Sequence, residues 1–213
     1  MKEEKILFPS TGIRLEGLIH TSDRGPAKGG IIFCHPHPQF GGDMDNPVIH
    51  SGIHAAYEAG LSTLRFNFRG VGESEGAYAE GIGEKDDVRA AVECLNATFG
   101  DRNHSLVLLG YSFGAWVGLL IAVQDERIKA MVAVAPPLEM LDFGFLRGCK
   151  KNKLIIAGGR DLYCPVPLLE KWYQTLDEPK SFTLIEDSDH FFSSHHRSLI
   201  PPLVDFLKKV ISF

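Results

Sequence analysis

The chain has 213 residues, of which 44% are hydrophobic and 23% charged, and its formal net charge is −5. This length and balance are typical of one soluble globular domain with a sizeable core, and they argue against a disordered chain. The acidic net charge also argues against nucleic acid as a main partner, because phosphate binding needs a basic face. The apolar runs are far shorter than the roughly 18 residues of a membrane helix.

The termini and the cysteines indicate where the protein works. The first ten residues, MKEEKILFPS, carry acidic side chains and no long apolar segment, so we expect no signal peptide. Cys34, Cys94, Cys149 and Cys164 are scattered without a Cys-x-x-Cys spacing, which is typical of reduced thiols in a cytosolic protein. We therefore expect a cytoplasmic protein with a single domain over residues 1–213, without a metal or another cofactor. Its oligomeric state is left open between monomer and homodimer.

Short apolar runs alternate along the chain with segments of helical periodicity. The predicted strands cover residues 5–8, 13–20, 30–34, 62–68, 106–109, 129–135, 153–157 and 182–185. The predicted helices cover residues 47–59, 83–99, 114–123, 166–176 and 201–211. The first two strands flank a Ser-Thr-Gly turn and pair antiparallel, whereas the later strands are apolar on both faces. This pattern predicts an α/β fold with a mostly parallel eight-stranded sheet and helices on both faces.

The pattern G-x-S-x-G occurs twice, around Ser74 and around Ser112. It indicates a nucleophilic serine only where a strand turns sharply into a helix. The copy around Ser112 lies between an apolar strand and an apolar helix, whereas Ser74 is followed by more loop and sits between two glutamates. We therefore take Ser112 as the nucleophile and Ser74 as a structural residue.

A serine hydroxyl needs a base to take its proton and an acid to orient that base. Asp161 and His190 each follow a predicted strand, in the chain order serine, acid, histidine that such a fold requires. Asp187 and Asp189 compete as the acid, but they are so close to His190 in sequence that their side chains would not readily reach its far nitrogen. His195 and His196 compete as the base, although they lie further from the strand end.

The stretch His-Pro-His-Pro, residues 35–38, directly follows the third strand. Acyl transfer builds negative charge on a carbonyl oxygen, and backbone N–H groups can stabilise it. Because proline has no N–H, only His35 and His37 can donate from this loop. We expect an oxyanion hole formed by the amides of His37 and Phe113. A metal site on His35, His37 and Asp43 or Asp45 is the weaker alternative, since nothing fixes its geometry.

With these motifs the chain resembles the α/β-hydrolase superfamily. Within it, the chain is similar to a small bacterial branch without a cap, related to dienelactone hydrolases and prolyl-oligopeptidase-like esterases. The matching stretches are residues 35–49, 63–76, 108–115, 158–165 and 187–192. The resemblance implies the triad Ser112, Asp161 and His190, and a loop beside the active site that contains Arg69 and Gly70. The dienelactone relatives use cysteine as nucleophile, so lactone hydrolysis does not carry over to a chain with serine.

The expected cleft is open, because only residues 136–152 separate two strands at the point where many hydrolases insert a cap. The aromatic side chains expected to line it are Phe40, Phe113, Phe143, Phe191 and Phe192. We assign substrate contact to Phe40, Phe143 and Phe191. An apolar cleft suits a serine esterase that cleaves small to medium carboxylic esters. The same triad would serve an acyl-aminoacyl or small-peptide hydrolase or a thioesterase, and a silent binding protein on this fold is the non-enzymatic alternative.

Overall fold

The computed structural model describes residues 2–22, 29–100 and 104–211, which form eight strands and five α-helices. The strands are β1 (Glu4–Ser10), β2 (Ile13–His20), β3 (Gly30–Cys34), β4 (Ser62–Phe66), β5 (Leu106–Tyr111), β6 (Ile128–Val134), β7 (Asn152–Gly158) and β8 (Lys180–Ile185). The helices are α1 (Pro47–Ala59), α2 (Gly83–Ala97), α3 (Phe113–Gln124), α4 (Val166–Gln174) and α5 (Ile200–Val210). The predicted domain limits, residues 1 and 213, lie outside the described residues.

One sheet contains all eight strands, in the order β1-β2-β4-β3-β5-β6-β7-β8. The pairs β1–β2 and β2–β4 are antiparallel, and every pair from β4–β3 to β7–β8 is parallel. The carboxyl ends of the six parallel strands therefore meet at one edge, where ligands bind in sheets of this kind. The predicted α/β fold and the opening antiparallel pair are confirmed.

Helices cover both faces of the sheet. Apolar side chains of α2, α3 and α4 pack with one face of the sheet, and those of α1 and α5 pack with the other. The central strands β3 and β5 are buried along their whole length, which explains why they consist of near-continuous apolar runs. No helix of the described residues is long and apolar enough to cross a membrane.

The strand predicted over residues 62–68 ends two residues early, at Phe66. The Asn67 amide still donates to the carbonyl of Glu16 at 2.9 Å, but the Phe68 amide donates to Nε2 of His35 at 3.0 Å. The chain leaves the sheet at this point because a side chain, and not a strand, supplies the acceptor. This contact could not be read from periodicity.

Residues 136–152 lead from β6 into the first residue of β7. They form no cap, and in this described segment the only helical part is the 3-10 turn Gly144–Leu146. Phe143 is 1% exposed, and its ring lies 5.8 Å from that of Trp172 on α4. The indole N–H of Trp116 on α3 donates to the carbonyl of Asp142 at 3.2 Å. The segment is therefore packed down on α3 and α4 and is not a flap over the cleft.

Candidate active site

Ser112 occupies a sharp turn between the end of β5 and the start of α3. Its backbone has φ of 53° and ψ of −117°, a conformation that is unfavourable for a residue with a side chain. Its amide donates to the carbonyl of Val134 on β6 at 2.9 Å, which ties the strained residue to the sheet. The turn holds the hydroxyl group at the carboxyl edge of the strands.

Two glycines flank Ser112 because the surrounding backbone comes too close for a side chain. A Cβ atom on Gly110 would lie 2.4 Å from the Cα of Ala115, and one on Gly114 would lie 2.2 Å from the carbonyl oxygen of Cys34. Close-packed interiors do not accommodate such contacts without moving the backbone. The G-x-S-x-G spacing thus lets α3 start directly against β5 and the loop after β3.

Two hydrogen bonds join Ser112, His190 and Asp161. Oγ of Ser112 lies 2.9 Å from Nε2 of His190, and Nδ1 of His190 lies 2.8 Å from Oδ2 of Asp161. An ionised carboxylate only accepts hydrogen bonds, so Nδ1 carries the ring proton and Nε2 accepts the proton of the Ser112 hydroxyl. This is the arrangement of a nucleophile, a base and an orienting acid.

Asp161 and His190 are both held from a second side. Oδ1 of the buried Asp161 accepts the amides of Tyr163 at 2.8 Å and Cys164 at 3.0 Å. The hydroxyl of Tyr111 donates to the carbonyl of His190 at 3.0 Å. The carboxylate and the imidazole are therefore preorganised, because neither has to reorient to make the bond between them.

The two other candidate acids, Asp187 and Asp189, make hydrogen bonds to groups other than His190. The carboxylate of Asp187 pairs with the guanidinium of Arg160, and both side chains are largely exposed. Oδ1 of Asp189 accepts the amide of Phe191 at 3.1 Å and so caps its own loop. Of the three carboxylates considered from the sequence, the structure places only that of Asp161 against the imidazole of His190.

The competing histidines lie in a different environment from Ser112. Nδ1 of His196 is 3.2 Å from Oγ of Ser51 on α1, and His195 precedes the 3-10 turn that leads into α5. The pair His196–Ser51 joins α1 to the segment before α5, which is a structural contact.

Within the part of the chain that the structure describes, the backbone amides of Phe113 and His37 have no internal acceptor. Phe113 is the first residue of α3, so its amide finds no partner within the helix. Among the described residues, none accepts a hydrogen bond from the His37 amide. The rings of His37 and Phe113 have centroids 4.9 Å apart, so the two amides belong to adjoining segments. These are the two donors that we expect in an oxyanion hole.

The imidazole of His37 is fixed through both of its nitrogens. Nδ1 accepts the amide of Gln39 at 3.2 Å, and Nε2 lies 3.1 Å from the hydroxyl oxygen of Tyr78. Burial lowers the pKa of His37, so the ring is neutral near pH 7 and its proton resides on Nε2. The imidazole therefore donates to Tyr78, a residue that the sequence motifs did not single out.

The loop that carries Tyr78 is itself braced. The buried carboxylate of Glu84 accepts the amides of Ala79 and Gly81, each at 2.8 Å. A Cβ atom on Gly81 would lie 2.4 Å from the ring of Trp116. Tyr78 thus reaches His37 from a segment with little freedom to move.

The side chains of Ser74 and Arg69 stabilise the loop between β4 and α2 through hydrogen bonds. The hydroxyl of Ser74 donates to the carbonyl of Asn67 at 2.7 Å and accepts the amide of Glu16 at 2.9 Å. The guanidinium of Arg69 binds the buried carboxylate of Asp87 through Nε at 3.0 Å and Nη2 at 2.7 Å. The second G-x-S-x-G copy is therefore a structural turn, as predicted.

His35 is a buried structural residue at the end of β3. Its Nε2 accepts the Phe68 amide, so its Nδ1 carries the proton and donates to the carbonyl of Pro36 at 2.7 Å. Both nitrogens are occupied, which leaves no lone pair for a metal ion. Among the described residues, no group of three or more His, Cys, Asp and Glu side chains could hold a metal.

We expect His35 to make the protein less stable in acid. Burial lowers the pKa of His35 from 6.5 to about 4, so the unfolded chain takes up a proton before the folded one. Its contribution to the free energy of unfolding is complete above pH 6.5 and falls by about 3 kcal/mol between pH 6.5 and pH 4. Urea unfolding of His35→Gln and of the unchanged protein at pH 7 and pH 4 measures how much of the free energy of unfolding is lost through protonation of His35. Equal losses of stability in the two proteins would contradict it.

The aromatic residues predicted to line the cleft divide into two groups. Phe40 is 82% exposed and Phe191 is 61% exposed, so both are available to a substrate. Phe143, Phe113 and Phe192 are buried. The assignment of substrate contact to Phe143 is wrong, because its ring fills the core beneath residues 136–152. Side-chain type alone does not separate core phenylalanines from exposed ones.

A third exposed aromatic residue, Tyr163, lies at the site and was not predicted from the sequence. The ring centroid of Tyr163 lies 4.8 Å from that of His190, and 41% of the surface of Tyr163 is exposed. Its position two residues after Asp161, on the loop that carries the acid, was the available signal. For Tyr78 no comparable signal exists, because its partner His37 is 41 residues away in the chain.

Comparisons with known proteins identify the family of this chain. Residues 28–201 match the family model described as an alpha/beta hydrolase domain. An uncharacterized protein of Rickettsia prowazekii is 30% identical over 213 residues, which is 95% of this chain and 88% of the relative. A thiohydrolase of Arthrinium phaeospermum is 28% identical over 162 residues, covering 74% of this chain and 50% of the relative.

Solved structures show the same fold. An alpha-beta serine hydrolase homologue from Coxiella burnetii superposes with a TM-score of 0.88 at 31% identity, covering 96% of this chain and 97% of that one. A serine hydrolase from Xanthomonas campestris, described as lacking a lid, gives a TM-score of 0.87 at 28% identity, with 98% and 95% covered. The matched domain spans most of the chain, including all six parallel strands, so this protein belongs to the α/β-hydrolase family and is a hydrolase.

Proposed function

We propose that the protein is a cytoplasmic, single-domain serine hydrolase that cleaves small to medium carboxylic esters through an acyl-enzyme on Ser112. The observation that carries this proposal is the continuous hydrogen-bond chain from Ser112 through His190 to Asp161. A serine hydroxyl hydrogen-bonded to an imidazole that is held in place is the starting arrangement for nucleophilic attack.

In the proposed first step, Nε2 of His190 removes the proton of Ser112 as its oxygen attacks the ester carbonyl. Negative charge develops on the carbonyl oxygen, where the amides of Phe113 and His37 donate. The carboxylate of Asp161 stabilises the imidazolium that forms. The ester C–O bond then breaks, and His190 returns its proton to the departing alcohol oxygen.

In the second step, water takes the place of the alcohol. His190 accepts a proton from the water as its oxygen attacks the acyl carbon, and the same two amides hold the charge. Breakage of the bond to Ser112 releases the carboxylic acid, and the proton on His190 restores the serine hydroxyl. No cofactor is needed, because each proton is returned within the cycle.

Esters are favoured by the character of the side chains around this chemistry. Phe40, Phe191 and Leu162 are exposed, large and apolar, and the last two adjoin the base and the acid in sequence. Exposed apolar area of this kind gains free energy when it is covered by an uncharged substrate. Residues 136–152 lie against the core, so among the described residues no cap at this position restricts access.

The proposal is tested by covalent labelling and a matched substrate panel. We expect the intact protein to gain the mass of one bound fluorophosphonate probe. Peptide mapping should locate the probe at Ser112. We expect p-nitrophenyl acetate to be hydrolysed faster than S-phenyl thioacetate, and p-nitroacetanilide to be the slowest. Folded protein that does not react with the probe would favour a silent binding protein. A faster thioester or amide would move the assignment to a thioesterase or an acyl-aminoacyl or peptide hydrolase.

Tyr78→Phe should lower turnover by about tenfold, which is less than the 10²–10³ typical of removing an oxyanion donor outright. The substitution removes the partner of Nε2 of His37 while keeping the phenyl ring, so the imidazole and its amide lose one of their restraints. Because the effect falls on charge that develops during reaction, kcat should drop with KM unchanged. The measurement is steady-state hydrolysis of p-nitrophenyl acetate.

Tyr173→Phe is the matched control, because Tyr173 lies on α4 beside Lys180, at the opposite end of the strands from Ser112. It should leave kcat unchanged. A rise in KM with kcat unchanged in Tyr78→Phe would show that Tyr78 binds substrate and does not support the loop.

A further inference from the structure

We infer that Tyr163 and Phe191 form the binding site for the alcohol part of the substrate and select esters of uncharged aromatic alcohols of the benzyl type. The inference rests on the proposed function, since it requires His190 to act as the acid that protonates the departing alcohol. It goes further by assigning the two parts of an ester to two sides of the site.

The two rings enclose the imidazole of His190. Their centroids lie 4.8 Å (Tyr163) and 5.4 Å (Phe191) from that of His190, and the two rings are 6.4 Å apart at an interplanar angle of 79°. His190 is 7% exposed, whereas Tyr163 is 41% and Phe191 is 61% exposed. The imidazole is therefore covered by two rings that still offer apolar surface to a ligand.

Both rings are carried by backbone that the site itself holds. The Tyr163 amide donates to Oδ1 of Asp161 at 2.8 Å, and the Phe191 amide donates to Oδ1 of Asp189 at 3.1 Å. A third ring packed with them would need little rearrangement of the main chain. Preorganised surfaces of this kind lose less free energy on binding than mobile ones.

The chemistry decides which part of the substrate meets these rings. The departing oxygen must lie within about 2.6–3.2 Å of Nε2 of His190 to receive its proton. The group attached to that oxygen is therefore next to Tyr163 and Phe191. An aromatic group there can make edge-to-face contacts with both rings. A cationic group would instead meet the positive charge that His190 carries when the C–O bond breaks.

Phe40 packs against His37 and has no ring contact with His190 among the described residues. Its ring centroid is 4.7 Å from that of His37, whose amide we expect to bind the carbonyl oxygen. Exposed aromatic surface at this position adjoins the acyl part of the substrate. Phe40 therefore provides a matched control: an equally aromatic and exposed residue that should not affect the choice of alcohol.

The test compares benzyl acetate, methyl acetate and acetylcholine, which share one acyl group. We expect benzyl acetate to have the highest kcat/KM. Tyr163→Ala and Phe191→Ala should each lower the benzyl-to-methyl ratio of kcat/KM by about three- to tenfold, as expected for the loss of one ring contact. Phe40→Ala should leave this ratio unchanged, and Tyr163→Phe should retain it because the ring remains.

Rates of the single steps separate this inference from the proposed function. The alcohol has left before water attacks, so the acetyl-enzyme should be hydrolysed at the same rate whichever ester formed it, in Phe191→Ala as well. An unchanged benzyl-to-methyl ratio in both alanine variants would overturn the inference, as would a preference for acetylcholine. Failure of the proposed function looks different: Ser112 would not react with a fluorophosphonate, and no acetyl-enzyme would form from any ester.

Discussion

Ser112→Ala should reduce the turnover of p-nitrophenyl acetate by roughly 10⁶-fold, the loss expected when a nucleophile that acts as a unit with its base is removed. The substitution deletes one oxygen, whose hydrogen bond in the structure is to Nε2 of His190. The hydrogen bond from the backbone amide of residue 112 to the carbonyl of Val134, which holds the turn, is retained. We therefore expect a folded protein that has lost its chemistry and still binds substrate.

Ser74→Ala is the matched control for this experiment, because Ser74 lies in the second copy of the same motif. It loses hydrogen bonds to the carbonyl of Asn67 and from the amide of Glu16, both buried, which should cost about 1–3 kcal/mol of stability. Its turnover and its labelling by a fluorophosphonate should persist. If Ser112→Ala still hydrolysed the ester at a normal rate, the acyl-enzyme mechanism would be wrong.

Asp161→Asn should lower turnover by about 10⁴-fold. The two side chains have nearly the same size and shape, so the loss comes from a change in the tautomer of His190. The amides of Tyr163 and Cys164 both need an acceptor, so the carbonyl oxygen of the new side chain would stay in the position of Oδ1. Its NH₂ group would then face Nδ1 of His190. Nδ1 would have to accept, the ring proton would move to Nε2, and the base could no longer take the proton of Ser112.

The competing carboxylates supply the controls. Asp187→Asn affects an exposed pair with Arg160, and Asp189→Asn keeps an oxygen that can still accept the Phe191 amide. Neither should reduce the rate of ester hydrolysis. The measurement is kcat for all three variants, together with thermal unfolding to show that they are folded. A severe loss in Asp187→Asn with normal activity in Asp161→Asn would reverse the assignment of the acid.

The order of strands and helices could be predicted well, because it depends on local patterns. The predicted limits of the third strand and the first helix agree with β3 and α1. The strand predicted over residues 62–68 was too long because a long-range contact ends it. β4 stops at Phe66 because the imidazole of His35 binds the next free amide, and that histidine lies 33 residues earlier in the chain.

The candidate site shows the same division. Ser112 could be located because a strand, a glycine-flanked serine and a helix are adjacent in sequence. The choice of Asp161 over Asp187 and Asp189 needed distances to His190, although the order of elements along the chain favoured it. The pairing of His37 with Tyr78 had no sequence signal, because neither residue belongs to a motif that names the other.

The sequence by itself therefore determined the α/β architecture and the glycine-flanked turn around Ser112, since apolar periodicity and glycine spacing act over short stretches of chain. Only the tertiary structure decided which carboxylate holds His190, and which phenylalanines face solvent. Phe143 and Phe191 are chemically identical, yet one is 1% exposed and the other 61%. Burial is a property of how distant segments pack, so it emerges only when the whole chain is folded.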